Sequence, residues 1–155
     1  IFDESGPVAV RYPRGGEGEY TQGGAQALEC LREGGDVCIA AYGTMVNEAL
    51  EAARALEQAG VSARVMKIGR VLPLEAEPLL AAARDCGRLV VAEEVCASGC
   101  IGGRILAAAG GQAGFKCRLL NLGEGIVGQG GTEKLRALAG IDAAGIAAAA
   151  KELMA

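Results

Sequence analysis

Short apolar stretches alternate with amphipathic ones along most of this chain, which is the pattern of strands that alternate with helices. Residues 36–42 and 88–92 are mostly apolar, as expected of strands that are covered on both faces. Residues 45–59 instead carry apolar side chains at helical spacing. The same reasoning predicts strands at 26–32, 63–68 and 116–122, and helices at about 75–85, 103–109, 132–139 and 142–153.

This order of elements predicts an α/β fold, a three-layer α/β/α domain around a mixed, mostly parallel five-stranded sheet. One strand is expected to run antiparallel, because Gly34-Gly35 between the strands at 26–32 and 36–42 can form a tight hairpin turn. The apolar run Val8–Val10 predicts a separate, earlier strand.

Polar residues mark the predicted ends and faces of two helices. Thr44 follows Gly43 and is expected to cap the helix at 45–59 with its hydroxyl. Asp142 is expected to cap the last helix, and Lys151 to lie on the exposed face of that helix.

Composition narrows the class of protein. The chain has 155 residues, the length of one domain, and is 51% hydrophobic but only 3% aromatic, so its core is predicted to be aliphatic. A net charge of −4 without a run of Lys or Arg argues against a nucleic-acid partner. The sequence contains no apolar stretch of about 18 residues and no signal peptide, so no membrane contact and a cytoplasmic location are expected.

The residues that most often carry chemistry are scarce. The chain has no histidine and therefore lacks the commonest general base and metal ligand. Its cysteines form no CxxC pair, and the closest two, Cys96 and Cys100, have no second pair to complete a zinc site. We predict free thiols and no metal site from Cys30, Cys38, Cys86, Cys96, Cys100 and Cys117. Cys38, Cys86 and Cys117 fall in or beside apolar runs and are expected to pack as small apolar side chains.

The first candidate for ligand binding is Arg14. Pro13 biases Tyr12 toward an extended conformation, so Arg14 lies where a strand ends and a glycine-rich loop begins. Ligands of open α/β sheets gather at such strand ends. The guanidinium group of Arg14 is suited to a phosphate or carboxylate, and equally to pairing with an Asp or Glu of the chain.

The second candidate region follows the strand at 88–92. Glu93-Glu94 stand at the carboxyl end of that strand, where they are suited either to acid–base chemistry or to holding a loop while one stays solvated. The next loop, residues 98–103, contains Gly99 and Gly102 and precedes a helix. Its backbone N–H groups would bind an anion or form a plain turn, and it lacks the glycine pattern of a nucleotide site.

Read together and in order, these pieces resemble the C-terminal domain of the 1-deoxy-D-xylulose-5-phosphate synthases, which are transketolase-family enzymes. The resemblance covers about residues 6–155. It departs from the family pattern at Leu72, where lysine is usual, at Glu75, and in the loops 99–103 and 124–128. The matching motifs are GPVAVRYPRG (6–15), YGTMV (42–46), VLPL (71–74), EE (93–94), NLG (121–123), QG (129–130) and GIDAAGI (140–146).

The resemblance implies an activity that composition does not reveal. The family condenses pyruvate with glyceraldehyde 3-phosphate, with loss of CO₂, on thiamine diphosphate with Mg²⁺. The cofactor lies between two domains that precede this one, so this part is expected to bind no cofactor or metal and to be inactive alone. Arg14 matches the arginine that contacts the phosphate of the aldehyde, and Glu93, Gly99 and Gly102 are possible loop contacts.

The resemblance also implies how the chain is divided. Residues 1–15 are expected to be the end of the preceding pyrimidine-binding domain and a linker, and residues 16–155 the transketolase C-terminal-like domain. The start at Ile1 favours a piece of a longer chain, whose parent is expected to be a homodimer. Alternatives are the C-terminal half of a split transketolase, a 2-oxo acid dehydrogenase β-subunit, or a freestanding binding module.

Overall fold

The fold is taken from a computed structural model, which describes residues 6–10, 18–22, 26–111 and 113–155. Strands and helices alternate along most of the described chain. The elements are β1 (Leu28–Arg32), β2 (Val37–Ala41), α1 (Met45–Gln58), β3 (Ala63–Ile68), α2 (Ala76–Cys86), β4 (Arg88–Ala92), α3 (Ile101–Ala109), β5 (Lys116–Leu120), α4 (Thr132–Ala139) and α5 (Ala143–Met154).

The strands form one five-stranded sheet in the order β1-β3-β2-β4-β5. Strand β1 pairs with β3 antiparallel, whereas the other neighbouring strands are parallel. This confirms the predicted mixed, mostly parallel α/β sheet.

The predicted hairpin between β1 and β2 is wrong, because β3 lies between these two strands. Neither Gly34 nor Gly35 has the positive φ that a two-residue hairpin turn needs. The turn is instead held against the start of β3, where Asp36 N–H donates to the Ser62 carbonyl and Ser62 N–H donates to the Asp36 carboxylate. The connection thus leads β2 to the far side of β3.

Helices cover both faces of the sheet and create two apolar layers. Along β2, Val37, Ile39 and Ala41 face the layer that contains α1 and α5. Cys38 and Ala40 point to the opposite layer, which contains α2 and α3. Since every residue of β2 is buried, the strand is apolar throughout, as its sequence predicts.

One predicted strand is not formed, and several element boundaries differ from the prediction, including the start of β1 at Leu28 rather than at residue 26. Residues 8–10 form no strand, and Val8 and Val10 are exposed, since nothing in the described chain pairs with them. Helix α3 begins two residues earlier than predicted, at Ile101. Strand β5 ends at Leu120, because the next segment turns so that Leu122 N–H donates to the Val95 carbonyl.

The predictions for Asp142, Lys151 and the free cysteines are confirmed. Asp142 caps α5 by accepting a hydrogen bond from Gly145 N–H at 2.9 Å, and Lys151 is exposed. All six cysteines are free, and Cys38 and Cys86 are buried. Among the described residues, no helix combines the length and apolar character needed to cross a membrane.

Candidate functional site

The predicted site residues fall into two groups. Arg14 lies outside the described residues, so its role stays a prediction. Glu93, Gly99 and Gly102 lie around the loop that joins β4 to α3, at the carboxyl edge of the sheet. The structure brings Glu93 and Gly102 together, whereas Gly99 ends a short 3₁₀ turn and donates its N–H to the Cys96 carbonyl.

The sheet itself positions Glu93. Strands β2 and β4 are parallel neighbours in which Ala41 is paired with Ala92. The residues that follow, Tyr42 and Glu93, therefore leave the sheet side by side at its carboxyl edge. The Tyr42 hydroxyl donates a hydrogen bond to Glu93 Oε2 at 3.1 Å.

Glu93 is the buried charged residue of the described chain, with 1% of its surface exposed. Its Oε2 also accepts the N–H of Ile101, and its Oε1 accepts the N–H of Gly102, each at 2.8 Å. Both donors are free N–H groups of the first turn of α3, where the helix dipole favours a negative charge. The carboxylate of Glu93 thus takes the place that an external anion would need.

Close packing completes this arrangement. A Cβ atom on Gly102 would lie 2.7 Å from Leu119 Cδ2 and 3.0 Å from Glu93 Oε1, so a larger residue here would force the Leu119 side chain or the carboxylate to shift. Burial and the adjacent Glu93 carboxylate raise the pKa of Tyr42 above its usual range, which keeps the hydroxyl a donor. We call Glu93, Tyr42 and the N–H groups of Ile101 and Gly102 the Glu93 pocket.

A second polar cluster lies beside the Glu93 pocket and is centred on Arg136 of α4. Its Nη2 donates to Glu94 Oε2 at 2.6 Å and to Thr44 Oγ1 at 2.9 Å, and its Nη1 donates to Glu48 Oε1 at 3.2 Å. Burial lowers the pKa of Arg136, but the hydrogen bond and charge of Glu94, with Glu48, outweigh it and raise the pKa above its usual value. This Arg136 cluster joins α4 to α1 and to the end of β4.

The Arg136 cluster corrects the expectation for Thr44. This residue precedes α1 but makes no side-chain cap bond. Its hydroxyl instead donates to Glu94 Oε2 at 3.2 Å while accepting from Arg136. Thr44 already has helical backbone angles, so its side chain is free to turn toward the edge of the sheet.

The carboxylates at this edge do not fit a divalent cation with a diphosphate. Protein donors already occupy both oxygens of Glu93, and Arg136 and Thr44 share Oε2 of Glu94. Within the described ranges, no three His, Cys, Asp or Glu side chains come together in a way that could hold a metal ion. We therefore derive no reaction step through a cofactor in this part of the molecule.

Three residues of this region, Tyr42, Glu48 and Arg136, were missed by sequence reasoning. Tyr42 had a usable signal, because it follows a buried strand just as Glu93 does. Arg136 had none, since its partner Glu48 is 88 residues away in the sequence and only the packing of α4 brings them together.

Residues 26–146 match the family described as transketolase, C-terminal domain, and the chain belongs to this family. A solved structure entitled split gene transketolase, inactive beta4 tetramer, superimposes with a TM-score of 0.73 at 30% identity, covering 82% of this chain and 42% of that one. A transketolase mutant from Pichia stipitis, at 20% identity and a TM-score of 0.57, shares the fold and covers 82% of this chain and 18% of its own.

Relatives named 1-deoxy-D-xylulose-5-phosphate synthase bear out the resemblance. The Geobacter sulfurreducens synthase 1 is 41% identical over 158 residues, which cover 97% of this chain and 25% of the relative. The Thermomicrobium roseum synthase is 40% identical over 152 residues, 93% of this chain and 24% of the relative. The chain thus spans about a quarter of the length of these curated relatives.

Proposed function

We propose that this chain is the C-terminal domain of a 1-deoxy-D-xylulose-5-phosphate synthase. The parent enzyme joins pyruvate to glyceraldehyde 3-phosphate with loss of CO₂, and thiamine diphosphate with Mg²⁺ supplies the carbanion chemistry. The observation that carries this proposal is about 40% identity to such synthases over nearly the whole chain. Residues 1–15 then end the preceding domain and form a linker, and the parent is a cytoplasmic homodimer.

Within that enzyme, Arg14 binds the phosphate of the aldehyde substrate. The motif RYPRG at residues 11–15 supports this role, since the planar guanidinium group makes two parallel hydrogen bonds to a phosphate. In the Glu93 pocket, the carboxylate of Glu93 already occupies the position at the start of α3 where a substrate anion could bind. This supports a phosphate site elsewhere, at Arg14. The described domain therefore contributes a rigid support rather than reacting groups.

The test uses the complete polypeptide and measures formation of 1-deoxy-D-xylulose 5-phosphate. Arg14→Ala is expected to raise the KM for glyceraldehyde 3-phosphate and lower kcat/KM by about 2–5 kcal/mol, since a paired phosphate contact is lost. The KM for pyruvate should stay the same, because pyruvate carries no phosphate. Arg54→Ala is the matched control, because Arg54 is an exposed arginine whose ion pair, among the described residues, is with the equally exposed Glu19.

Two results would contradict the proposal. Absence of the product with both substrates and cofactor present would exclude the synthase activity. A normal KM for the aldehyde in a folded Arg14→Ala variant would exclude the phosphate role.

We also propose that residues 1–155 alone are inactive and bind no thiamine diphosphate. Calorimetric titration of this piece with thiamine diphosphate and Mg²⁺ should give no binding heat, whereas the complete enzyme should bind the cofactor. Tight binding by the piece would contradict this part of the proposal.

A second candidate function is the C-terminal chain of a split transketolase. The superposition on a split-gene transketolase supports it, because that relative is 30% identical and the match covers 82% of this chain. The two candidates differ in substrate: a synthase uses pyruvate as donor, whereas a transketolase moves a ketol unit between sugar phosphates. Product analysis with each donor in parallel distinguishes them.

A further inference from the structure

The segment 18–22 leads from the predicted phosphate-binding motif into the domain, and it is fastened at its middle. The N–H of Tyr20 donates to Asn47 Oδ1 of α1 at 2.9 Å. Gly18 packs so tightly on the carboxamide of Asn47 that a Cβ atom there would overlap it. A backbone amide and a glycine contact thus fix this segment to α1 without relying on charge.

Lys67 of β3 holds the same segment from the other side. Its ammonium group has three N–H donors and uses all of them, on the Tyr20 hydroxyl at 3.0 Å, the Gln22 carbonyl at 3.2 Å and Glu29 Oε2 at 3.2 Å. The nitrogen also lies 5.1 Å from the centre of the Tyr20 ring, within range of a cation–π contact. Hydrogen bonding to Tyr20, with Glu29, outweighs burial and raises the pKa of Lys67, so the group stays charged.

Lys67 is largely shielded from water and is held by the sheet. The side chain of Lys67 is only 13% exposed, and Glu29 is its partner across the β1–β3 ladder. The ammonium is therefore anchored in the sheet and directed at the segment. We call Tyr20, Asn47 and Lys67 the linker clamp.

Chain length connects the linker clamp to Arg14. Residues 14 and 18 are four positions apart, and an extended chain spans at most about 3.3–3.6 Å per residue. Any contact that fixes Gly18 limits the volume that the guanidinium of Arg14 can sample.

We propose that the linker clamp positions Arg14 for the phosphate of the substrate, which makes Lys67 and Asn47 positioning residues. This inference rests on the proposed function. The clamp touches neither substrate nor cofactor and acts only by holding the segment that carries Arg14. Its effect should consequently appear in the binding of the phosphorylated aldehyde and not of pyruvate.

The kinetic test uses Lys67→Met and Asn47→Ala in the complete enzyme. Each should raise the KM for glyceraldehyde 3-phosphate about tenfold, the effect of one lost hydrogen bond to a charged or preorganised group. The KM for pyruvate should not change, and Lys67→Arg, which keeps the cation between Glu29 and Tyr20, should restore most of the loss. Equal changes in both KM values would overturn the proposal.

A double-mutant cycle separates positioning from a general loss of structure. In an Arg14→Ala background, Lys67→Met should add no further increase in KM, because the group that it positions is gone. An independent tenfold increase in that background would overturn the proposal.

Hydrogen exchange of the complete polypeptide distinguishes the clamp from the proposed function. Lys67→Met and Asn47→Ala should accelerate exchange of the Tyr20 amide, which donates to Asn47 Oδ1, while the amides of β2 stay protected. Unchanged exchange would show that there is no clamp, even in an active synthase. Faster exchange in a protein without synthase activity would show a clamp but overturn its role toward Arg14 together with the proposed function.

Discussion

The Glu93 pocket and the linker clamp both hold a segment of the chain in place, but they differ in their exposure to solvent. Each fixes a segment of the chain through hydrogen bonds between side chains and backbone groups. Glu93 is 1% exposed and binds the first turn of α3. In the linker clamp, the side chain of Lys67 is 13% exposed, and that of its partner Glu29 is 32% exposed. Water therefore reaches the Lys67–Glu29 pair but not the carboxylate of Glu93.

This difference separates stability from position. Loss of a buried carboxylate that accepts from three donors leaves all three donors unpaired, so the free energy of unfolding of the whole domain falls. Groups near water can replace a lost partner with solvent, so the clamp contributes less to stability and mainly fixes where a segment lies. We expect substitutions in the Glu93 pocket to change the free energy of unfolding and those in the clamp to change local order.

The largest effect is expected for Glu93→Gln. The amide keeps the shape but directs N–H groups toward the N–H of Ile101 or Gly102, so the domain should lose about 2–4 kcal/mol of unfolding free energy. Urea-induced unfolding measures this. Glu94→Gln is the matched control, and it should cost at most about 1 kcal/mol because its side chain is 36% exposed. Equal losses for both variants would contradict the contrast between buried and solvated carboxylates.

The next largest effects are expected for two adjacent glycines of α3, whose replacement by alanine should change the free energy of unfolding in opposite directions. Gly102→Ala places a Cβ 2.7 Å from Leu119 Cδ2 and should cost about 1–3 kcal/mol through overpacking. Gly103→Ala meets only Cys100 Sγ at 3.9 Å, so its better helix propensity should add about 0.5–1 kcal/mol. Thermal unfolding should therefore move in opposite directions. Stabilisation by both substitutions would show that Glu93 does not require close approach of the helix.

Tyr42→Phe should have a smaller effect that depends on pH. Near neutral pH, the loss of one hydrogen bond to Glu93 should cost about 1 kcal/mol. The folded state raises the pKa of Tyr42, so its contribution is complete below the unfolded pKa of about 10 and is lost as the pH rises above it. The variant lacks this titration, so its unfolding free energy should fall less steeply above about pH 10. Parallel curves for the two proteins would contradict the raised pKa.

The regular part of the fold was predictable because local pattern and burial agree. Strand β2 is apolar throughout and buried on both faces, and β3 runs from Ala63 to Ile68 as its sequence indicates. The neighbour of β1 was not predictable in this way. Gly34-Gly35 is locally compatible with a hairpin, and the hydrogen bonds between Asp36 and Ser62, which are distant in sequence, decide otherwise.

The site was predictable only in part, for the same reason. The position of Glu93 after a buried strand correctly placed it at the carboxyl edge of the sheet. Its ligands were hidden, because the closeness of Gly102 depends on how α3 packs against Leu119. The linker clamp depends on Glu29 and Lys67 meeting across β1 and β3, a pairing that the hairpin hypothesis did not predict.

The smallest effect is expected for Arg54→Ala, which tests whether surface charge rather than the clamp holds the segment 18–22. Arg54 pairs with Glu19 at 2.7 Å, but these side chains are 57% and 79% exposed. Such a pair contributes at most about 0.5 kcal/mol, so unfolding free energy and exchange of the Tyr20 amide should both stay unchanged. Asn47→Ala, about two turns away on α1, should speed that exchange. If Arg54→Ala released the segment as fully as Asn47→Ala, the exposed ion pair and not the clamp would hold it.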